Sequence, residues 1–163
     1  MIDTYLLHTA IQFINEIGIE TESGNAGGEN CFLPGLYIKA GRILVNPHQL
    51  KFPGDILHEA GHIAVVPAME RKTLNGPDLN QRADATAEEM MAIAWSYAAC
   101  VHLDIDPSFV FHEHGYRGGA ASIIEDFQGG RYVGVPVLQC LRMTSTTPGS
   151  LVIYPEMIKW LRD

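Results

Sequence analysis

The sequence predicts an α+β fold in which a small antiparallel sheet packs against two helices of different character. Short β-favouring runs at residues 36–39 and 42–45 are separated by a two-residue turn. Residues 56–66 repeat apolar side chains at helical spacing on one face, whereas residues 83–103 are apolar almost all round. Because a helix that is apolar on every side must be buried, we expect the second helix to lie in the middle of the core.

Length and composition are typical of one globular domain. The 163 residues are 47% hydrophobic and 18% charged and show no repeat or linker, so we expect residues 1–163 to form a single domain. With 11 basic and 19 acidic residues, the formal charge is −8. This charge disfavours nucleic acid or an anionic membrane as the main partner.

The sequence also suggests where the protein works. There is no basic segment followed by an apolar run at its start, and no stretch is apolar enough to span a membrane. Its cysteines form neither CxxC pairs nor a disulfide framework. They are Cys31, Cys100 and Cys140. We therefore expect a reducing, cytoplasmic environment.

The N-terminal elements follow from local patterns. Residues 3–17 carry apolar side chains at helical spacing and predict a helix that packs on the core. Residues 20–30 combine glycines with polar side chains and predict a loop. The runs at 36–39 and 42–45 then predict a hairpin, and strand 42–45 is a candidate for binding a peptide by edge addition.

The C-terminal third gives weaker patterns. Residues 120–127 predict a helix, and residues 155–161 predict a terminal helix that begins at a proline. Residues 131–143 fit either a strand or a helix, because their apolar run suits both.

An HExxH sequence lies on the predicted helix at residues 56–66, which Asp55 would cap and Pro67 would end. Successive residues of an α-helix are about 100° apart, so His58, Glu59 and His62 point into one sector. The apolar side chains of this helix occupy the opposite side. The two imidazoles can therefore share a metal ion, and we expect them to face a cleft rather than the core.

A zinc ion held by two imidazoles needs a third protein ligand and an open position for water. Glu88 and Glu89, within the long apolar helix, are the first candidates. Glu89 is preferred because Ala92, one turn later, would let the metal and the helix approach closely. Glu88 remains an alternative ligand, and so does a histidine of the segment that contains His112 and His114.

With these residues, the sequence resembles the gluzincin metallopeptidases, most nearly the compact ImmA/IrrE-type branch, over residues 36–103. In that branch a hairpin leads into an HExxH helix, and a second helix supplies a glutamate ligand in an ExxA context. The resemblance implies a zincin-like fold and hydrolysis of peptide bonds with Glu59 as the catalytic residue. It further implies zinc bound by His58, His62 and Glu89.

The sequence also departs from this family. Larger gluzincins place an acid four residues after the ligand glutamate to orient the first histidine, and Ile93 stands at that position here. Because such outer partners affect metal affinity and activity, this departure favours a second hypothesis. In it, the protein is a non-catalytic metal-binding regulatory or interaction module that keeps the zincin fold.

The first hypothesis is a zinc-dependent hydrolase acting on a peptide or protein substrate. Glu59 would take the proton of a metal-bound water and pass it to the leaving amine. The oxyanion needs a further donor, and we expect the segment at residues 111–116 to supply it, with Tyr116 as the catalytic candidate.

Overall fold

The computed structural model describes residues 4–24 and 33–163, and it is an α+β fold with a small sheet and several helices. None of the helices in these ranges combines the length and apolarity that crossing a membrane requires. The helices are α1 (Thr4–Glu16), α2 (Asp55–Val65), α3 (Ala68–Arg71), α4 (Ala85–His102), α5 (Ala120–Gln128) and α6 (Val135–Cys140). The strands are β1 (Thr21–Ser23), β2 (Leu36–Lys39) and β3 (Arg42–Val45). Short 3-10 segments lie at Gly76–Gln81, Pro107–Phe109 and Tyr116–Gly118.

The sheet has the strand order β1-β3-β2 and is mixed rather than antiparallel. β2 and β3 form the predicted antiparallel hairpin, with Tyr37 opposite Leu44. β1 runs parallel to β3, with Thr21 opposite Ile43. Because β3 is paired on both sides, the prediction that residues 42–45 could bind a peptide by edge addition is wrong.

The third strand lies where the sequence predicted a loop. β1 is short and polar, and it is held by backbone pairing to β3 and by Arg42, which contacts Glu20 and Glu22 at 3.1 and 3.7 Å. These side chains are exposed, so they leave no hydrophobic signal in the sequence. The rest of the predicted loop, residues 25–30, lies outside the described residues.

Helices α2 and α4 pack closely at the centre of the fold. A Cβ atom on Gly61 would lie 3.0 Å from the backbone oxygen of Ala92. The hydroxyl of Ser96 donates a hydrogen bond to the same oxygen at 2.7 Å, and Trp95 beside it is fully buried. The prediction of a long buried helix is therefore confirmed, and small side chains set the spacing of the two helices.

The C-terminal end does not form the predicted helix at residues 155–161. Its backbone bonds to other elements instead: Ile158 N–H donates to the oxygen of Met143, and Arg162 N–H donates to the oxygen of Ala64. The segment is irregular and follows the surface of the core, because the carbonyls of Met143 and Ala64 accept the hydrogen bonds that a helix would form within itself. The ambiguous residues 131–143 contain the short helix α6.

Candidate metal centre

Helix α2 directs His58 and His62 to one side, as their spacing predicts. Their ring centroids are 4.6 Å apart, and their side chains are only 13% and 11% exposed. The expected open cleft is therefore largely covered. The cover comes from Glu89 on α4 and from Tyr116, whose ring meets His58 edge-on.

Glu89 reaches both histidines with one carboxylate. Its Oε1 lies 3.5 Å from Nε2 of His58, and its Oε2 lies 3.2 Å from Nε2 of His62. A tetrahedral ion with bonds of about 2.0–2.1 Å would separate its ligand atoms by about 3.3 Å. Each of the two distances is close to this value, although they end on different oxygens of Glu89, and one ligand atom from each of the three residues lies within 4.8 Å of the others. His58, His62 and Glu89 could therefore hold a metal ion.

The neighbouring acid, Glu88, points to a different partner. Its carboxylate accepts hydrogen bonds from Nε and Nη2 of Arg82 at 2.6 and 2.9 Å, and Arg82 also contacts Glu70 at 2.7 Å. The side chain of Glu88 is 4% exposed. The structure thus brings Glu89, and not Glu88, to the histidines, which agrees with the preferred ligand set.

The carboxylates of the centre have opposite pKa shifts. Burial opposes the charge of Glu89, but hydrogen bonds from His58 and His62 outweigh it and hold the pKa of Glu89 well below its usual range. Burial raises the pKa of Glu59, and the charges of the two histidines offset this only in part. Glu89 is therefore suited to bind a cation, whereas Glu59 is suited to accept a proton.

Asp55 and His112 form a pair that the sequence did not predict. Asp55 is the first residue of α2 and not its N-cap, a position held by Gly54 without a side-chain hydrogen bond. Its Oδ1 lies 3.1 Å from Nε2 of His112, whose ring stacks on Phe52 at a centroid distance of 4.0 Å. A signal was present, because Asp55 precedes His58 by three residues and so shares its helix face.

The other residues of this segment take different positions. Tyr116 lies over the centre, with its ring centroid 5.6 Å from that of His58, and burial and the nearby carboxylates raise the pKa of its hydroxyl. Tyr116, Arg117 and Gly118 have φ angles of +54°, +53° and +80°. His114 is 64% exposed, so it is placed on the surface and not among the three candidate ligands.

Comparisons with family models, curated proteins and solved structures found no match. The functional assignment therefore rests on the geometry of the site. In residues 4–24 and 33–163, the group that could hold a metal ion is His58, His62 and Glu89.

Proposed function

We propose that this protein is a zinc-dependent hydrolase with a zincin-like fold and that it cleaves peptide bonds. The observation that carries the proposal is the convergence of two imidazoles and the Glu89 carboxylate beside a buried acid, Glu59, on the same helix turn. The resemblance of the HExxH helix and hairpin to gluzincins supports the choice of peptide or protein substrates.

The donor set supports zinc as the ion. Two imidazole nitrogens and one carboxylate oxygen, with one position open, are the ligands of a catalytic zinc site. His58, His62 and Glu89 would hold the ion. When bound, zinc would supply Lewis acidity and lower the pKa of a coordinated water to about 7.

Glu59 is the proposed general base. Glu59 is 9% exposed, and burial raises the pKa of its carboxyl group, which increases its affinity for a proton. Glu59 takes a proton from the attacking water and delivers it to the nitrogen of the leaving amine.

Tyr116 is the proposed donor to the oxyanion. Because burial and nearby carboxylates raise the pKa of its hydroxyl, the group keeps its proton at neutral pH. A phenol that stays protonated can donate a hydrogen bond to the negative oxygen of the transition state.

The proposed setting is the cytoplasm. Cys100 is buried and Cys140 is exposed, and both are free thiols. A reducing compartment keeps such thiols unpaired.

Metal analysis combined with peptide cleavage tests the proposal. Wild type, Glu59→Gln and the control Glu125→Gln, at an exposed position of α5, are compared for zinc content and for hydrolysis of a mixed peptide library. We expect all three to retain stoichiometric zinc and Glu59→Gln alone to lose cleavage by roughly 10²–10⁴-fold.

The same experiment separates the second hypothesis. Stoichiometric zinc with no cleavage by wild type would favour the non-catalytic metal-binding module, which the isoleucine at position 93 also favours. A wild-type protein that binds no zinc would contradict both functions.

A further inference from the structure

Two buried ring nitrogens near the candidate centre have no hydrogen-bond partner among the described residues. They are Nδ1 of His58 and Nδ1 of His112. Buried polar atoms without partners are rare, because losing water without gaining a hydrogen bond costs free energy. Nε2 of His58 faces Glu89, so Nδ1 is the nitrogen left for a partner outside the ligand set. A metal-bound histidine usually donates this second N–H to a carboxylate or a carbonyl.

Asp55 is the carboxylate best placed to be that partner. It lies one helical turn before His58 on the same face of α2. The hydrogen bond between His112 and Asp55 uses one oxygen of the carboxylate, Oδ1. The second oxygen is left for another donor.

His112 is itself held firmly, although it is not a ligand. Its ring is stacked on Phe52 with an angle of 14° between the planes, and the side chains of His112 and Asp55 are both largely buried. With its Nε2 directed to Asp55, His112 can hold that carboxylate in one orientation.

We propose that Asp55 is a positioning residue that links His112 to the metal ligand His58. One Asp55 oxygen accepts the hydrogen bond of His112, and the other accepts the Nδ1 proton of His58 when a metal ion occupies Nε2. Asp55 thereby replaces, from α2, the acid that α4 lacks at Ile93, whose side chain packs against the core. This inference rests on the proposed metal-binding function.

Zinc affinity tests the link directly. Metal-free wild type, Asp55→Asn, His112→Phe and the double variant compete with a chromophoric chelator for zinc. His112→Phe keeps an aromatic ring for the stack on Phe52 but removes the donor to Asp55. We expect Asp55→Asn to weaken zinc binding by about 10–100-fold and His112→Phe to weaken it by a smaller factor. Because the two act through one carboxylate, the double variant should bind no more weakly than Asp55→Asn alone.

The control and the folding check use the same assay. His114→Phe, at an exposed position, should bind zinc like wild type. Circular dichroism of each metal-free variant identifies any that fails to fold. If Asp55→Asn does not fold, His112→Phe still decides the question, because it must weaken zinc binding.

Two results would overturn the link. The first is an unchanged zinc affinity in Asp55→Asn. The second is a weakening in Asp55→Asn with none in His112→Phe, which would mean that the Asp55 charge acts through space alone. If wild type binds no zinc, the proposed function is overturned as well. If wild type cleaves peptides with zinc and Asp55→Asn binds zinc as tightly as wild type, only this inference is overturned.

Discussion

The candidate site is built from two segments that place their side chains by opposite means. On α2, His58, Glu59 and His62 lie on one side because the helix repeats every 3.6 residues. Residues 112–119 contain only the short 3-10 segment Tyr116–Gly118, and Tyr116 lies at the site on a backbone with positive φ angles. A regular helix and an irregular, conformationally costly loop therefore meet at one centre.

This difference predicts that the helix pair and residues 112–119 contribute to different properties of the site. α2 is held by its packing on α4, whereas residues 112–119 are held by separate contacts, His112 with Phe52 and Asp55 and Tyr116 with the core. Strained backbone of this kind is typical of functional positions, where other interactions compensate for its cost. We expect changes to the ligands and to the packing of the helix pair to alter metal binding and stability, and a change at Tyr116 to alter catalysis while the metal is retained.

The largest expected effect is a loss of zinc affinity that occurs on changing one of two adjacent acids of α4 but not the other. Glu89→Gln removes the ligand charge, so zinc affinity should fall by more than the roughly 10–100-fold that outer partners contribute. Glu88→Gln is the matched control, because it leaves the histidines untouched but weakens the bond to Arg82. It should keep its zinc affinity and lose about 1–3 kcal/mol of unfolding free energy in a urea titration. Equal zinc affinity in the two variants would contradict the assignment of Glu89.

In residues 112–119, Tyr116→Phe should lower kcat by on the order of 10²-fold, because it removes the proposed donor to the oxyanion. The ring that covers His58 is kept, so zinc affinity should stay within about twofold of wild type, in accord with the proposed division. Steady-state cleavage of a peptide substrate and zinc competition measure the two quantities. A drop in zinc affinity with unchanged kcat would place Tyr116 with the metal-binding residues instead.

Much of the part of the site that lies on α2 and α4 could be predicted from the sequence. The periodicity of α2 and the all-round apolar character of α4 located the two helices, and the small residue at position 92 favoured Glu89 while Glu88 stayed open as an alternative. The hairpin of β2 and β3 followed from residue type in the same way. These features depend on neighbours within a few residues, which is the range over which sequence patterns report structure.

Tyr116 was named from the sequence, but the contacts of residues 112–119 could not be predicted, because they join distant parts of the chain. The bond between His112 and Asp55 spans 57 residues, and no local pattern distinguishes His112 from the exposed His114 two positions later. The parallel strand β1 was missed for a related reason, since its polar side chains contribute little and its pairing lies in the backbone.

A smaller effect is expected where the two helices touch. Gly61→Val adds a branched side chain where a Cβ atom would already lie 3.0 Å from the oxygen and 3.2 Å from the Cα of Ala92. Separating α2 from α4 should cost about 1–3 kcal/mol of unfolding free energy, and it should weaken zinc binding because Glu89 moves away from the histidines. Gly24→Val, which meets nothing within 4 Å, should change stability by less than about 0.5 kcal/mol in the same urea titration. Equal stabilities would show that the helix spacing tolerates the added volume.

The smallest expected effect tests whether residues 112–119 hold conformational strain. Arg117 is exposed and has a φ angle of +53°, a region that L-residues other than glycine occupy at a cost of roughly 1–2 kcal/mol. Because the larger entropy loss of glycine offsets part of the gain, Arg117→Gly should raise the unfolding free energy by about 0.5–1 kcal/mol. Arg117→Ala is the matched control, since it removes the charge but keeps Cβ, and it should give no such gain in urea denaturation. If both variants stabilise the protein equally, the effect comes from the arginine side chain and the backbone at this position is not strained.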